Sequence, residues 1–140
     1  MSVRILVVDD DPTIRMLVGR LLRKQSGWEP CGEASNGAEA IEKVEELSPD
    51  VVVMDLGMPI MTGLQAARTI AHNHPRLPML MMSVQEVSNA LAFEARHAGY
   101  RGAVTKNSGN EIVRGIKALL QHNTFFYAED EIAGLHGQSR

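Results

Sequence analysis

The chain alternates short, almost uninterrupted apolar runs with longer segments that carry apolar residues at helical spacing. The runs at 3–8, 51–54 and 79–82 suit strands that are buried on both faces of a sheet. The segments between them repeat apolar residues at i, i+3, i+4 and i+7, which predicts amphipathic helices. Strands that alternate with helices predict an α/β fold, in which a parallel sheet is covered by helices on both faces.

Five strands and five helices are expected, in the order (βα)5. Weaker strand signals lie at 28–34 and 102–105, and Pro30 favours an edge position for the second strand because it cannot donate to a ladder. This favours the doubly wound, flavodoxin-like three-layer order 2-1-3-4-5. The fourth helix is expected to turn these residues inward: Val87, Ala90, Leu91, Ala95 and Ala98.

Composition indicates an ordinary soluble protein of about one domain. The 140 residues are 44% hydrophobic and 22% charged, and the net charge of −3 provides no general attraction to nucleic acid or to an anionic membrane. The sequence contains no apolar run of the ~18 residues that a membrane span needs. Cys31 is the only cysteine, which excludes an internal disulfide and fits a cytoplasmic location.

Polar residues stand where the predicted strands end. They are Asp9, Asp10 and Asp11 after the first strand, Asp55 at the third, Ser83 at the fourth and Lys106 after the fifth. The carboxyl ends of parallel strands share one edge, and ligands bind there near the switch in strand order. Clustered carboxylates repel each other, and Mg²⁺ would relieve that repulsion because it prefers oxygen ligands.

A carboxylate beside Mg²⁺ can act as a nucleophile toward phosphorus. Lys106 and Ser83 are suited to hold phosphoryl oxygens. Asp11, which precedes Pro12, is predicted to cap the first helix instead. The three successive acids alone could be a solvated loop with a helix cap, so only their coincidence with the other strand ends favours a site.

Two segments carry a resemblance to a known family. Residues 5–12 (ILVVDDDP) and 53–63 (VMDLGMPIMTG), together with Ser83 and Lys106, resemble bacterial response-regulator receiver domains over about residues 3–122. Residues 31–50 (CGEASNGAEAIEKVEELSPD) and 106–108 (KNS) resemble the NarL/LuxR-type transcriptional regulators.

The resemblance implies that Asp55 is the phosphoacceptor. It implies Mg²⁺ bound by Asp10, Asp55 and the backbone carbonyl of Gly57, with Asp9 acting through the metal's water shell. Contacts to the phosphoryl oxygens are implied for two residues, Lys106 and Ser83.

The same resemblance implies a sensor histidine kinase as phosphodonor and a role in transcriptional regulation. The chain is then not an enzyme, beyond assisting its own phosphorylation and dephosphorylation. Residues 1–122 are expected to form the receiver domain and residues 123–140 a C-terminal extension or linker. DNA contact is expected only through a helix-turn-helix output domain that this chain lacks. The oligomeric state stays open, with a homodimer as one candidate.

Some residues depart from the family's pattern. An aromatic residue usually stands three positions before the lysine, where this chain has Ala103, and Tyr100 lies three residues earlier. An aromatic switch is therefore expected to be missing or relocated. Val84 replaces the usual small residue after Ser83.

These departures motivate an alternative, a receiver-like scaffold that binds partners without phosphorylation. A second alternative, an Asp-nucleophile phosphohydrolase, shares the Asp–Mg²⁺–Lys chemistry. However, Gly57 leaves it no second carboxylate two residues after Asp55.

The tail residues 125–127 are too apolar for a free linker, so they pack back on the domain or join a partner surface, and 128–135 could form a short helix.

Overall fold

The apolar runs form the strands of one parallel sheet in a computed structural model, which describes residues 2–126. The strands are β1 Val3–Val8, β2 Trp28–Ala34, β3 Val51–Asp55, β4 Met79–Ser83, β5 Gly102–Thr105 and β6 Phe125–Phe126. The helices are α1 Pro12–Arg23, α2 Gly37–Leu47, α3 Gly63–Asn73, α4 Asn89–Ala98 and α5 Gly109–Leu120. The sheet order is β2-β1-β3-β4-β5-β6, which confirms the predicted order of the first five strands and adds a sixth.

The sheet separates two apolar cores. Alternate residues of β1 face opposite sides, so that Leu6 packs in one core and Ile5 in the other. The first core is formed mainly with α2, α3 and α4, and the second with α1 and α5. Every residue of β3 and β4 is buried, which explains why these strands lack the polar alternation of a half-exposed sheet.

Side-chain caps set the start of each helix. Asp11 accepts a hydrogen bond from the backbone N–H of Thr13 at 2.9 Å, which confirms its predicted capping role. Thr62 and Gln65 form a reciprocal capping box at the start of α3. Ser88 likewise accepts from the N–H of Leu91 and begins α4 at Asn89.

The predicted inward face of α4 was partly wrong. Val87 is buried but lies before the helix, and Ala90 is exposed, while Ala92 is buried in its place. The Ser88 cap accounts for Val87, because it begins the helix at Asn89, one residue after the cap. Within residues 2–126, no helix has the length and apolar composition needed to cross a membrane.

The sixth strand packs the start of the tail against the domain. Phe125 donates its N–H to the carbonyl of Arg101 at 2.8 Å, and Phe126 pairs with Ala103. Phe126 is fully buried, so the tail's first two aromatic residues pack back on the domain. Tyr127 and the helix considered for 128–135 lie outside the described residues.

Neighbouring elements hold β6 in place from both sides. The guanidinium of Arg96 on α4 lies 4.4 Å from the ring centroid of Phe126, and that of Arg114 on α5 lies 5.5 Å from that of Phe125. Gly102 allows the close approach, because a Cβ there would come within 2.8 Å of the Phe125 carbonyl oxygen. The small residue in β5 therefore makes room for the added strand.

Candidate functional site

Backbone pairing continues beyond the strand ends and positions the polar residues there. The N–H of Asp9 donates to the carbonyl of Ala34 at 3.0 Å, and that of Lys106 donates to the carbonyl of Ser83 at 2.8 Å. Asp55 is the last residue of β3, between β1 and β4. The acids, the hydroxyl and the ammonium therefore stand at one edge of the sheet, as predicted.

Three carboxylates converge at this edge. Asp9, Asp10 and Asp55 each place an oxygen within 4.8 Å of the others. Their surroundings differ, because Asp9 is fully buried, Asp55 is 6% exposed and Asp10 is exposed. Asp11 points its carboxylate into the α1 cap instead, which separates it from the cluster in function.

Lys106 joins two of the carboxylates. Its Nζ lies 2.6 Å from Asp9 Oδ2 and 3.1 Å from Asp55 Oδ1, and its side chain is only 8% exposed. The other oxygen of Asp9, Oδ1, accepts a hydrogen bond from the N–H of Asp11 at 2.9 Å. Three carboxylates and one ammonium leave two negative charges without compensation inside the cluster.

Burial and neighbouring charges change the pKa values of Asp55 and Lys106, and both pKa values are raised. Burial raises the pKa of Asp55, the charges of Asp9 and Asp10 raise it further, and Lys106 opposes them without prevailing. For Lys106, burial lowers the pKa, but its bonds to Asp9 and Asp55 outweigh burial and raise the pKa overall. The ammonium therefore stays charged at neutral pH, whereas the ionised form of Asp55 is destabilised.

The donor set fits a hard divalent cation. All three clustered groups are carboxylates, and their uncompensated charge is what Mg²⁺ would neutralise. Asp9 uses its oxygens on Lys106 and on the Asp11 N–H, which favours Asp10 and Asp55 as direct ligands. Asp10 is the exposed member and gives the cluster its opening to solvent.

Gly57 and Ser83 lie at the same edge, and their roles stay predictions. Gly57 is exposed in the loop after Asp55, and a Cβ at its position would meet nothing within 4 Å. Ser83 is 2% exposed, and its Oγ accepts a hydrogen bond from the N–H of Gln85 at 3.1 Å. Val84, next to it, is 70% exposed.

The sequence did not reveal the role of Tyr100 beside this site. Its ring is 2% exposed, and its hydroxyl donates a hydrogen bond to the carbonyl of Gly63 at 3.1 Å. Burial raises the pKa of Tyr100, and the charge of Asp55 raises it further. The signal was the aromatic residue three positions before Ala103, but its hydrogen-bond partner could not be inferred from spacing. The expectation that the family's aromatic switch is missing or relocated in this chain stays a prediction.

Comparison with known proteins identifies the family. Residues 5–117 match the model of the response regulator receiver domain. The chain belongs to this family. The receiver domain is similar to the response regulator GacA of Pseudomonas viridiflava, with 36% identity over 118 residues, 84% of this chain and 55% of that protein. It is also similar to the chemotaxis protein CheY of Thermotoga maritima, with 39% identity over 106 residues, 76% of this chain and 87% of that protein.

A solved structure supports the same family. The LuxR-family two-component response regulator from Aurantimonas sp. SI85-9A1 superimposes with a TM-score of 0.88 and 30% identity, covering 100% of both chains. The predicted resemblance to LuxR-type regulators is thereby confirmed for the receiver domain. The chain spans about half the length of the GacA relative.

Proposed function

We propose that this receiver domain accepts a phosphoryl group on Asp55 in a Mg²⁺-dependent reaction. The observation that carries the proposal is the position of Lys106, whose Nζ lies 3.1 Å from Asp55 Oδ1 at the edge of an acidic cluster. An ammonium beside a partly shielded carboxylate can neutralise the charge that a phosphoryl group brings. Membership of the receiver family supports the same role.

The chain's own residues would divide the work of the transfer. A carboxylate oxygen of Asp55 forms a bond to phosphorus while the bond from phosphorus to the donor breaks and the donor keeps the bonding electrons. Lys106 then pairs with a phosphoryl oxygen, and the Ser83 hydroxyl donates to another. Asp10, Asp55 and the Gly57 carbonyl would hold Mg²⁺, with Asp9 in its water shell. When bound, the ion supplies further neutralisation of the phosphoryl charge.

The consequence would be a switch rather than turnover of an external substrate. A phosphoryl group on Asp55 adds charge beside Lys106 and shifts a two-state equilibrium toward an active surface. The output surface is proposed to include α4, β5 and α5. The donor is proposed to be a sensor histidine kinase in the cytoplasm, and the output to be transcriptional, through an attached domain. Similarity to GacA and to a LuxR-family regulator supports this output.

The test is incubation with Mg²⁺ and acetyl phosphate, followed by intact-mass measurement and mapping of the modified residue. We expect a mass gain of one phosphoryl group on Asp55, and no gain when a chelator is present from the start of the incubation. Asp10→Asn should raise the Mg²⁺ concentration needed. Asp11→Asn is the matched control, because asparagine keeps the cap and this residue lies outside the cluster.

Two results would overturn the proposal. One is no mass gain in the wild-type protein at saturating Mg²⁺. The other is a gain that persists in Asp55→Ala. Equal effects of Asp10→Asn and Asp11→Asn would remove the assigned metal ligand while leaving the phosphoacceptor in place.

A further inference from the structure

The Tyr100 side chain contacts the first residue of α3, at the far end of the loop that follows Asp55. Its hydroxyl donates to the carbonyl of Gly63, the first residue of α3, at 3.1 Å. Position 63 is packed against Asp55, because a Cβ there would collide with the Asp55 carbonyl oxygen and lie 2.8 Å from the Tyr100 hydroxyl. Gly63 therefore lies close to both the Asp55 carbonyl and the Tyr100 hydroxyl, and its lack of a side chain permits both approaches.

The loop between Asp55 and α3 is held by backbone hydrogen bonds at both ends and by two methionines, Met58 and Met61, between them. The N–H of Leu56 donates to the carbonyl of Met82 at 3.0 Å, and the N–H of Gly63 donates to the carbonyl of Leu56 at 2.8 Å. Between the ends, Met58 is buried and the Met61 carbonyl accepts a hydrogen bond from the N–H of Gly37 at 3.1 Å, whereas Gly57 is exposed and Ile60 is 85% exposed. Ile60 also has a φ of 69°, a left-handed conformation that is costly for a β-branched residue. The exposed part of the loop, which includes Gly57, therefore depends on a few anchoring contacts, and the contact at Gly63 is one of them.

We propose that Tyr100 is a positioning residue: its hydrogen bond to Gly63 holds the α3 end of the loop so that the Gly57 carbonyl and Asp55 stay arranged for Mg²⁺. The part of this inference that concerns phosphorylation of Asp55 rests on the proposed function. The Tyr100 hydroxyl can hold this position because the residue is only 2% exposed and the packed core restricts the movement of its ring. Its raised pKa keeps it a hydrogen-bond donor at physiological pH.

A tyrosine that only fills the core would give the same burial, so the test must separate packing from positioning. Tyr100→Phe removes the hydroxyl and keeps the ring. Ile116→Val is the matched control, since Ile116 is fully buried in the other core, on the opposite face of the sheet. Both variants are expected to fold, with modest losses of thermal stability.

Three measurements follow on the full chain. Calorimetry gives the Mg²⁺ Kd, which we expect to rise about fivefold in Tyr100→Phe, the factor that one lost hydrogen bond supplies. Amide spectra should show shifts concentrated in residues 56–63. The rate with acetyl phosphate should fall by a similar factor at limiting Mg²⁺ and recover at saturating Mg²⁺. Ile116→Val should change none of the three.

The inference is overturned if Tyr100→Phe keeps both the wild-type Mg²⁺ Kd and the wild-type amide shifts of residues 56–63. It is also overturned if Ile116→Val reproduces the changes, because these would then follow from stability alone. If the wild-type protein takes no phosphoryl group, the proposed function fails on its own. The Mg²⁺ titration and the loop spectra would still decide the role of Tyr100.

Discussion

Replacing Asp55 with asparagine should stabilise the metal-free domain. The substitution keeps the shape of the side chain and removes one of three clustered negative charges. Lys106 keeps its contact with Asp9 at 2.6 Å, so the ammonium does not become an unpaired buried charge. The prediction is therefore that the free energy of unfolding rises when the candidate phosphoacceptor is neutralised.

The magnitude follows from the geometry of the cluster. With oxygens within 4.8 Å, the buried carboxylate of Asp9 destabilises ionised Asp55 by roughly 3 to 4 kcal/mol at an effective dielectric constant of about 20. The exposed Asp10 is screened by water and adds about 1 kcal/mol. Lys106, at 3.1 Å, stabilises the ion by roughly 5 kcal/mol on the same scale. Removal of Asp55 from water costs several kcal/mol more and decides the sign.

We therefore expect Asp55→Asn to add at least about 1 to 2 kcal/mol without metal, which raises Tm by roughly 3 to 7 °C for a chain of this length. The assay is thermal unfolding at neutral pH with a chelator, repeated with saturating Mg²⁺. Mg²⁺ should raise the Tm of the wild-type protein more than that of the variant, because stabilisation by a ligand of the folded state grows with the logarithm of its concentration over Kd.

A lower Tm for Asp55→Asn in chelator would refute this reasoning. It would mean that the pair between Asp55 and Lys106 outweighs burial and repulsion together. A Tm difference unchanged by Mg²⁺ would show instead that Asp55 is not a metal ligand.

Two further predictions concern pH and the sixth strand. The pKa of Asp55 is raised in the folded state above its ordinary value of 3.8. The contribution of protonated Asp55 to the free energy of unfolding is therefore complete below pH 3.8 and is lost as pH rises through the raised pKa. The stability gain of metal-free Asp55→Asn over wild type in urea unfolding should therefore grow between about pH 4 and pH 7, and a pH-independent gain would contradict this. Phe126→Ala should lower the free energy of unfolding by about 3 kcal/mol because the ring is fully buried. Phe93→Ala, at a 61% exposed ring, should change it by about 0.5 kcal/mol or less, and similar losses in both would contradict the packing of β6.

The sequence was sufficient for the elements that bury continuous apolar runs. Val51 to Met54 could only be a central strand, and once the strands were ordered, Asp55 and Lys106 had to share an edge. Of the three successive aspartates, the sequence marked Asp11 as the helix cap because Pro12 follows it, but local pattern could not separate Asp9 from Asp10. The separation of these two into a buried ion-pair partner and an exposed carboxylate depends on the backbone direction after β1, which periodicity does not encode.

Two features were missed for related reasons. A strand of two residues, Phe125 and Phe126, has no periodicity of its own and exists only through its pairing with β5. The hydrogen bond between Tyr100 and Gly63 joins residues 37 positions apart, so no local pattern could indicate it. Both depend on small residues elsewhere, Gly102 and Gly63, whose missing side chains become meaningful only after the chain is folded.

The added strand β6 also changes the lateral edge of the sheet that is available to another protein, because it covers β5. An uncovered strand edge offers unpaired N–H and C=O groups to any extended peptide, but here Phe125 and Phe126 already satisfy part of β5. A protein that docks there by strand addition must first displace these two residues and separate their rings from Arg96 and Arg114. The apparent Kd of such a partner equals its intrinsic Kd divided by the fraction of molecules in which β6 is detached. The β6 strand therefore competes with any partner that binds this edge.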